Sequence, residues 1–176
     1  MPDGRARLTV SFSELSSANL AIWTTMGALH EDEGRWRAPA GITYQQAWAL
    51  TDEITAVLYF VEGRPQTVDP RTGELRPPGE PRRTGTAWDD LPRVEIEELL
   101  DATKLSDKRV VLVLPSEKVV ALADALDVAL ARVAPNRSES EKEIFRLRVA
   151  PSTEKAEVLR DQLRHLDRET RVKGSK

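Results

Sequence analysis

Residues 108–135, KRVVLVLPSEKVVALADALDVALARVAP, carry the pattern on which the fold reading rests. The unbroken Val/Leu run at 110–114 suits a central strand covered on both faces. Pro115 ends it, and Ser116 is placed to cap a helix whose Val119, Leu122, Ala123, Leu126, Leu130 and Val133 fall on one side. After the polar break at 135–138, residues 143–149 (EIFRLRV) set Phe145, Leu147 and Val149 on one side of a further strand. Strand, helix and strand in that order form a β-α-β unit, which favours parallel strands with helices packed on them.

Upstream, residues 6–12 alternate Leu8, Val10 and Phe12 with Arg7, Thr9 and Ser11, the period of a half-buried strand. Ser11 and Glu14 then have capping-box spacing, with Ser13 a competing cap. Leu15, Ala18, Ile22, Met26 and Leu29 supply a helical stripe that Gly34 and Pro39 terminate. Thr43 and Gln46 repeat the capping-box spacing ahead of Ala47, Leu50, Ile54, Leu58 and Val61, with Gly63 and Pro65 as the stop. Residues 57–61 are apolar on every side, so periodicity leaves 55–62 open between helix and strand. Trp23 and Trp48, on these helices, read as core or interhelix packing.

Val94 and Ile96 restore order after an irregular stretch, and a short helix is expected over 97–100. At the other end, Pro151 and Ser152 introduce a last helix with Ala156, Leu159, Leu163 and Leu166 as its seam, and residues 171–176 read as a frayed tail. The segments RLTVSFSEL, RVVLVLPSEKV and RLRVAPSTEKA look alike. Their irregular spacing favours the shared needs of any strand-to-helix corner, a stop, a cap and an acid at the dipole, over a threefold duplication. The expected architecture is a single α/β domain over residues 1–176. It consists of a small, mostly parallel sheet of three to four strands built from β-α units, with packed helices and a long Pro/Gly-rich loop; strand order stays open.

That loop is residues 63–93, where six prolines and four glycines break every regular pattern. Residues 68–75 read as a small hairpin, with Pro70 presetting the turn and Gly73 supplying a positive φ. The remainder reads as a mobile insertion suited to docking a partner, because long structureless loops are uncommon unless functional or disordered.

Composition excludes several classes of chemistry. The 176 residues contain no cysteine, so disulfides, thiolate metal sites and cysteine nucleophiles are ruled out. A net charge of −3 argues against a dedicated nucleic-acid binder. The absence of a long apolar run or a signal-like start gives no membrane and a cytoplasmic location as the expectation. Arg outnumbers Lys by 19 to 7, a bias typical of GC-rich, bacterial coding.

Motifs add exclusions rather than an activity. No Walker A or dinucleotide fingerprint occurs, the corners at Ser13, Ser116 and Ser152 lack glycine, and Glu14, Glu117 and Glu154 already occupy the helix starts. His30, Glu31, Asp32 and Glu33 fan around a helix end rather than converge on a metal, and His165 with Asp161 reads as a surface i, i+4 contact. GxSxG and HExxH are missing. No catalytic residue, metal ligand or cofactor is assigned.

Two groups of residues remain as partner-binding candidates. Trp36, flanked by Arg35 and Arg37, and Trp88, beside Asp89 and Asp90, lie in irregular segments and have a hot-spot composition. Their alternative is to plug loops onto the core. Arg160, Arg164, Arg168 and Arg171 form a stripe on the last helix, fit for carboxylate or phosphate, unless Glu157, Asp161 and Asp167 neutralise it. The resulting expectation is a small accessory or regulatory protein of the cytoplasm that acts by contact with an unidentified protein partner and not by catalysis. The alternatives are a nucleic-acid-associated regulator using the arginine stripe and an enzyme with a carboxylate-based site.

Overall fold

The computed structural model describes residues 4–29, 36, 38, 41–64, 67–68, 75–76, 83–131 and 153–174. The chain opens with β1 (Arg5–Ser11), which passes directly into α1 (Phe12–Leu29). Both members of the expected capping box are made. Ser11 Oγ accepts the Glu14 N–H at 3.2 Å, and the Glu14 carboxylate accepts the Ser11 N–H at 2.8 Å. A second complete box, Thr43 with Gln46, starts α2 (Tyr44–Val61), which resolves residues 55–61 as helix. Gly63, at φ 71°, follows its end. The short strands β2 (Thr67–Val68) and β3 (Leu75–Arg76) pair antiparallel with Val68 opposite Leu75, the hairpin the turn residues predict.

Ala87–Asp90 is a single 3₁₀ turn. It leads to β4 (Glu95–Leu100), a second 3₁₀ turn at Leu105–Asp107, and β5 (Arg109–Pro115). Two helices complete the described chain, α3 (Ser116–Ala131) and α4 (Thr153–Gly174).

The sheet order is β1-β5-β4, and both pairings are antiparallel. This overturns the expected mostly parallel sheet. The reading of strand-to-helix corners was sound at β1–α1 and β5–α3, but a corner sets no strand direction. Both α1 and α2 intervene between β1 and the next long strand, so neither acts as a lone crossover. Residues 101–108 are too few for the dozen-residue crossover that parallel neighbours need. The expected strand at 143–149, the second half of the β-α-β argument, lies outside the described residues, as do the Ser152 cap, His30 to Glu33, and 65–66, 69–74 and 77–82 of the Pro/Gly-rich stretch.

Two local expectations are also corrected. Residues 97–100 form strand rather than helix: Leu99 faces Val110 and Leu100 faces Arg109, with a register irregularity between Ile96 and Glu98. Glu and Leu favour helix intrinsically, but pairing to β5 outweighs a weak propensity. Ser116 does not cap α3. Its hydroxyl and its N–H both reach Gly4 O, at 2.8 and 2.9 Å, fastening the β5–α3 corner to the start of β1.

The helices cover one face of the sheet. Ala6, Leu8 and Val10 from β1 and Val110, Leu112 and Leu114 from β5 are buried with the apolar stripes of all four helices. Each stripe residue expected on α1 and α2 is buried, as are Ala156, Leu159 and Leu163 of α4. Helices α1 and α3 each touch the other three helices of the layer. On the other face Arg5 pairs with Glu95 at 3.0 Å and Arg7 with Glu97, both reaching across the central strand. Among the described residues no helix is long and apolar enough to cross a membrane.

Leu112 and Leu126 sit at the sheet–helix contact with almost no exposed surface. Leu112→Ala and Leu126→Ala are each expected to lower unfolding free energy by about 2–5 kcal/mol. Urea denaturation followed by circular dichroism measures it. A loss within experimental error for both would place them outside the core.

Candidate functional site

A cleft of about 280 Å³ lies between α2, residues 83–93 and the first turn of α3. Its polar lining comes from Glu53 of α2, Lys118 of α3, and Arg83, Asp89, Asp90 and Arg93 of the intervening segment, with Trp88 beside them. Lys118 is the third residue of α3 and only 1% exposed. Its Nζ donates to both oxygens of Glu53, at 2.7 and 2.9 Å, and Glu53 Oε2 also accepts the Val94 N–H at 2.9 Å. One carboxylate thus joins α2, α3 and the entry to β4. Taking an ammonium out of water costs several kcal/mol unless its geometry is well matched, and the bidentate pair supplies that match.

The segment above the pair is held by its own hydrogen bonds. Asp89 Oδ1 accepts the Thr84 N–H and hydroxyl at 2.8 and 2.9 Å, and Oδ2 accepts the Gly85 N–H at 2.9 Å. Gly85 has φ 69°, a conformation that strains any residue with a Cβ. The Thr86 hydroxyl accepts the Trp88 N–H, capping the 3₁₀ turn. The Thr84 N–H is the main cause that holds the Asp89 carboxyl below its usual pKa. Burial opposes the shift, and the Thr84 hydroxyl, the Gly85 N–H and nearby Arg83 add to it.

Trp88 is therefore placed by a built turn. It is half-buried against the core and lines both this cleft and a second one of about 320 Å³ that includes Gln46, Glu117 and Asp124. Its indole N–H is buried and has no acceptor among the described residues. Trp36, the other tryptophan candidate, is 8% exposed, donates to Ile42 O at 3.0 Å and lies edge-on to Tyr44. It packs the core at the entry to α2.

The arginine stripe divides. Arg164 donates to Asp124 of α3 at 2.5 Å and to Asp127, and Arg160 approaches Asp127 at 3.7 Å and Asp161 at 2.8 Å. Asp124 is 1% exposed, so this is an interhelix ion network rather than a solvated face. Partial burial opposes the charge on Arg164, but its hydrogen bonds to Asp127 and Asp124 outweigh that and raise its pKa. Arg168 is exposed and donates to Arg164 O at 3.2 Å. Arg171 lies in the last turns of α4, with its side chain outside the described residues. Of the six candidates, the structure brings together Arg160, Arg164 and Arg168, while Trp88 lines the clefts and Trp36 packs in the core. Among the described residues no group of three His, Asp or Glu is close enough to hold a metal ion.

Sequence reading missed two features. Trp23 makes the interhelix contact expected of it, edge-on to Trp48 with ring centroids 6.4 Å apart, but its 51% exposure was not foreseen. Leu20 is exposed one turn before it. The signal was available: Trp23 follows Ile22 of the stripe and so falls about 100° off the buried face. Lys118 with Glu53 left no such signal, because 65 positions separate the partners.

Two measurements probe the cleft. Glu53→Gln strands a fully buried ammonium, whereas Lys118→Met leaves a carboxylate that water reaches in part. Glu53→Gln is expected to cost about 3–5 kcal/mol and Lys118→Met less; equal losses in urea denaturation would refute the asymmetry. For Asp89 the folded pKa is depressed, so its contribution is complete above the unfolded carboxylate pKa and disappears as pH falls through the folded value. The Thr84 and Gly85 amides should keep their NMR shifts through mild acid and move together only below the usual aspartate range, with no such step in Asp89→Asn.

Comparison of the chain with protein families, with curated proteins and with solved structures finds no match.

Proposed function

We propose that this chain is an accessory or regulatory protein of the cytoplasm that works by protein contact and not by catalysis. The contact surface in this reading is the ridge of Leu20, Trp23 and Trp48 on α1 and α2. The observation that carries it is Trp23, a large aromatic left half in water on a rigid helix while its neighbour Ile22 is fully buried. Aromatic side chains on rigid elements, with few charges around them, are the composition of interface cores.

Charge decides what such a ridge accepts. Neither α1 nor α2 contains a Lys or Arg. Their acids are Glu14, which serves the capping box, Glu53, which serves the cleft, and Asp52. A phosphate backbone or an acidic peptide finds no cation on these two helices. An uncharged apolar surface fits, and the same ridge on a second copy is such a surface, meeting itself across a two-fold axis with little like-charge repulsion. The reading therefore commits to an isologous pair of this chain. The nucleic-acid alternative loses support because Arg160 and Arg164 are engaged with α3.

Light scattering across a dilution series tests it. The expected mass is near twice the 19.7 kDa of one chain, falling to a single chain in Trp23→Glu with unchanged circular dichroism. A single-chain mass at every concentration, or a pair that Trp23→Glu leaves intact, overturns the proposal.

A further inference from the structure

We propose that the cleft at Lys118 and Glu53 binds a small ligand through an oxyanion group, a carboxylate or a phosphate. Among the described residues the six ionic groups of the lining, Glu53, Arg83, Asp89, Asp90, Arg93 and Lys118, sum to zero formal charge, so their net charge selects nothing. What remains available after internal bonding does select. Glu53 already accepts three hydrogen bonds, two from Lys118 and one from Val94. Asp89 also accepts three, all from Thr84 and Gly85. Two of the three acids are thereby occupied, and Asp90 is exposed at the rim.

The donors are not exhausted. An ammonium has three N–H groups, and Lys118 commits two to Glu53. Arg83 and Arg93 are exposed, and among the described residues Arg93 makes no hydrogen bond or ion pair. The Trp88 indole N–H is buried with no acceptor among the described residues. Lys118 and the Trp88 indole N–H have almost no exposed surface, so the donors a ligand reaches are the exposed Arg83 and Arg93, and guanidinium groups favour planar or tetrahedral oxyanions. At about 280 Å³ the space suits a metabolite-sized molecule rather than a peptide. The ion pair's role as a clamp between helices explains the Lys118–Glu53 contact but not the unpartnered donors beside it. This site shares no residue with the α1/α2 ridge, so either proposal can fail alone.

The test titrates the full chain with citrate and, separately, with inorganic phosphate at constant ionic strength. The readout is the Trp88 indole resonance, assigned with Trp88→Phe. Saturable movement with at least one probe is expected, and the probe that acts distinguishes carboxylate from phosphate. Arg93→Gln, at an exposed position, should weaken binding about tenfold without changing the circular dichroism spectrum. Arg83→Gln provides a second rim variant. No saturable shift with either probe at roughly 10 mM, where a millimolar Kd would be evident, overturns the proposal. So does binding that neither arginine substitution weakens.

Discussion

Strand β5 hydrogen-bonds on both edges, to β1 on one side and to β4 on the other, and the remaining described structure is arranged around that double pairing. A buried strand must satisfy its backbone groups, and two antiparallel neighbours do so along its length. Its Val/Leu run then occupies the middle of the sheet, with Val110, Leu112 and Leu114 under the helices. The corner at its end is tied to Gly4 through Ser116, so α3 starts at a defined point on the sheet. That point sets Lys118 against Glu53 of α2, and the cleft follows from it.

Ion pairs in this protein join elements distant in sequence. Glu53 links α2, α3 and the start of β4, while Asp124 and Asp127 of α3 receive Arg164 from α4. The acids of α3 face the arginines of α4, and the two helices pack together. Partly desolvated charges are costly when unpaired, so removing one member destabilises more than the pair contributes beyond an apolar substitute. The arginines that resemble a nucleic-acid stripe in one dimension are, in three, half committed to holding α4 in place.

Helix α2 serves two surfaces. Trp48 contributes to the uncharged ridge with Trp23, and Ala49 with Glu53 lines the cleft. The ridge is shaped by what α1 leaves unburied, and the cleft by a turn that Asp89 closes over the helix. The two proposed roles, protein contact and oxyanion binding, thus fall on separate residues of one helix.

The sequence by itself determined the local elements whose causes are local. Both capping boxes, the buried stripes of α1 and α2, the short hairpin and the central place of β5 follow from side-chain periodicity and from groups within a few residues of one another. Tertiary structure alone decided strand direction, because a strand-to-helix corner has the same composition whichever way the next strand runs. It also turned 97–100 into an edge strand, since hydrogen bonds to β5 outweigh the helical preference of Glu and Leu. The same holds for the site. Trp88 stood out as an aromatic in an irregular segment, but the Lys118–Glu53 pair and the donor surplus around it exist only once α2, α3 and residues 83–93 meet in space.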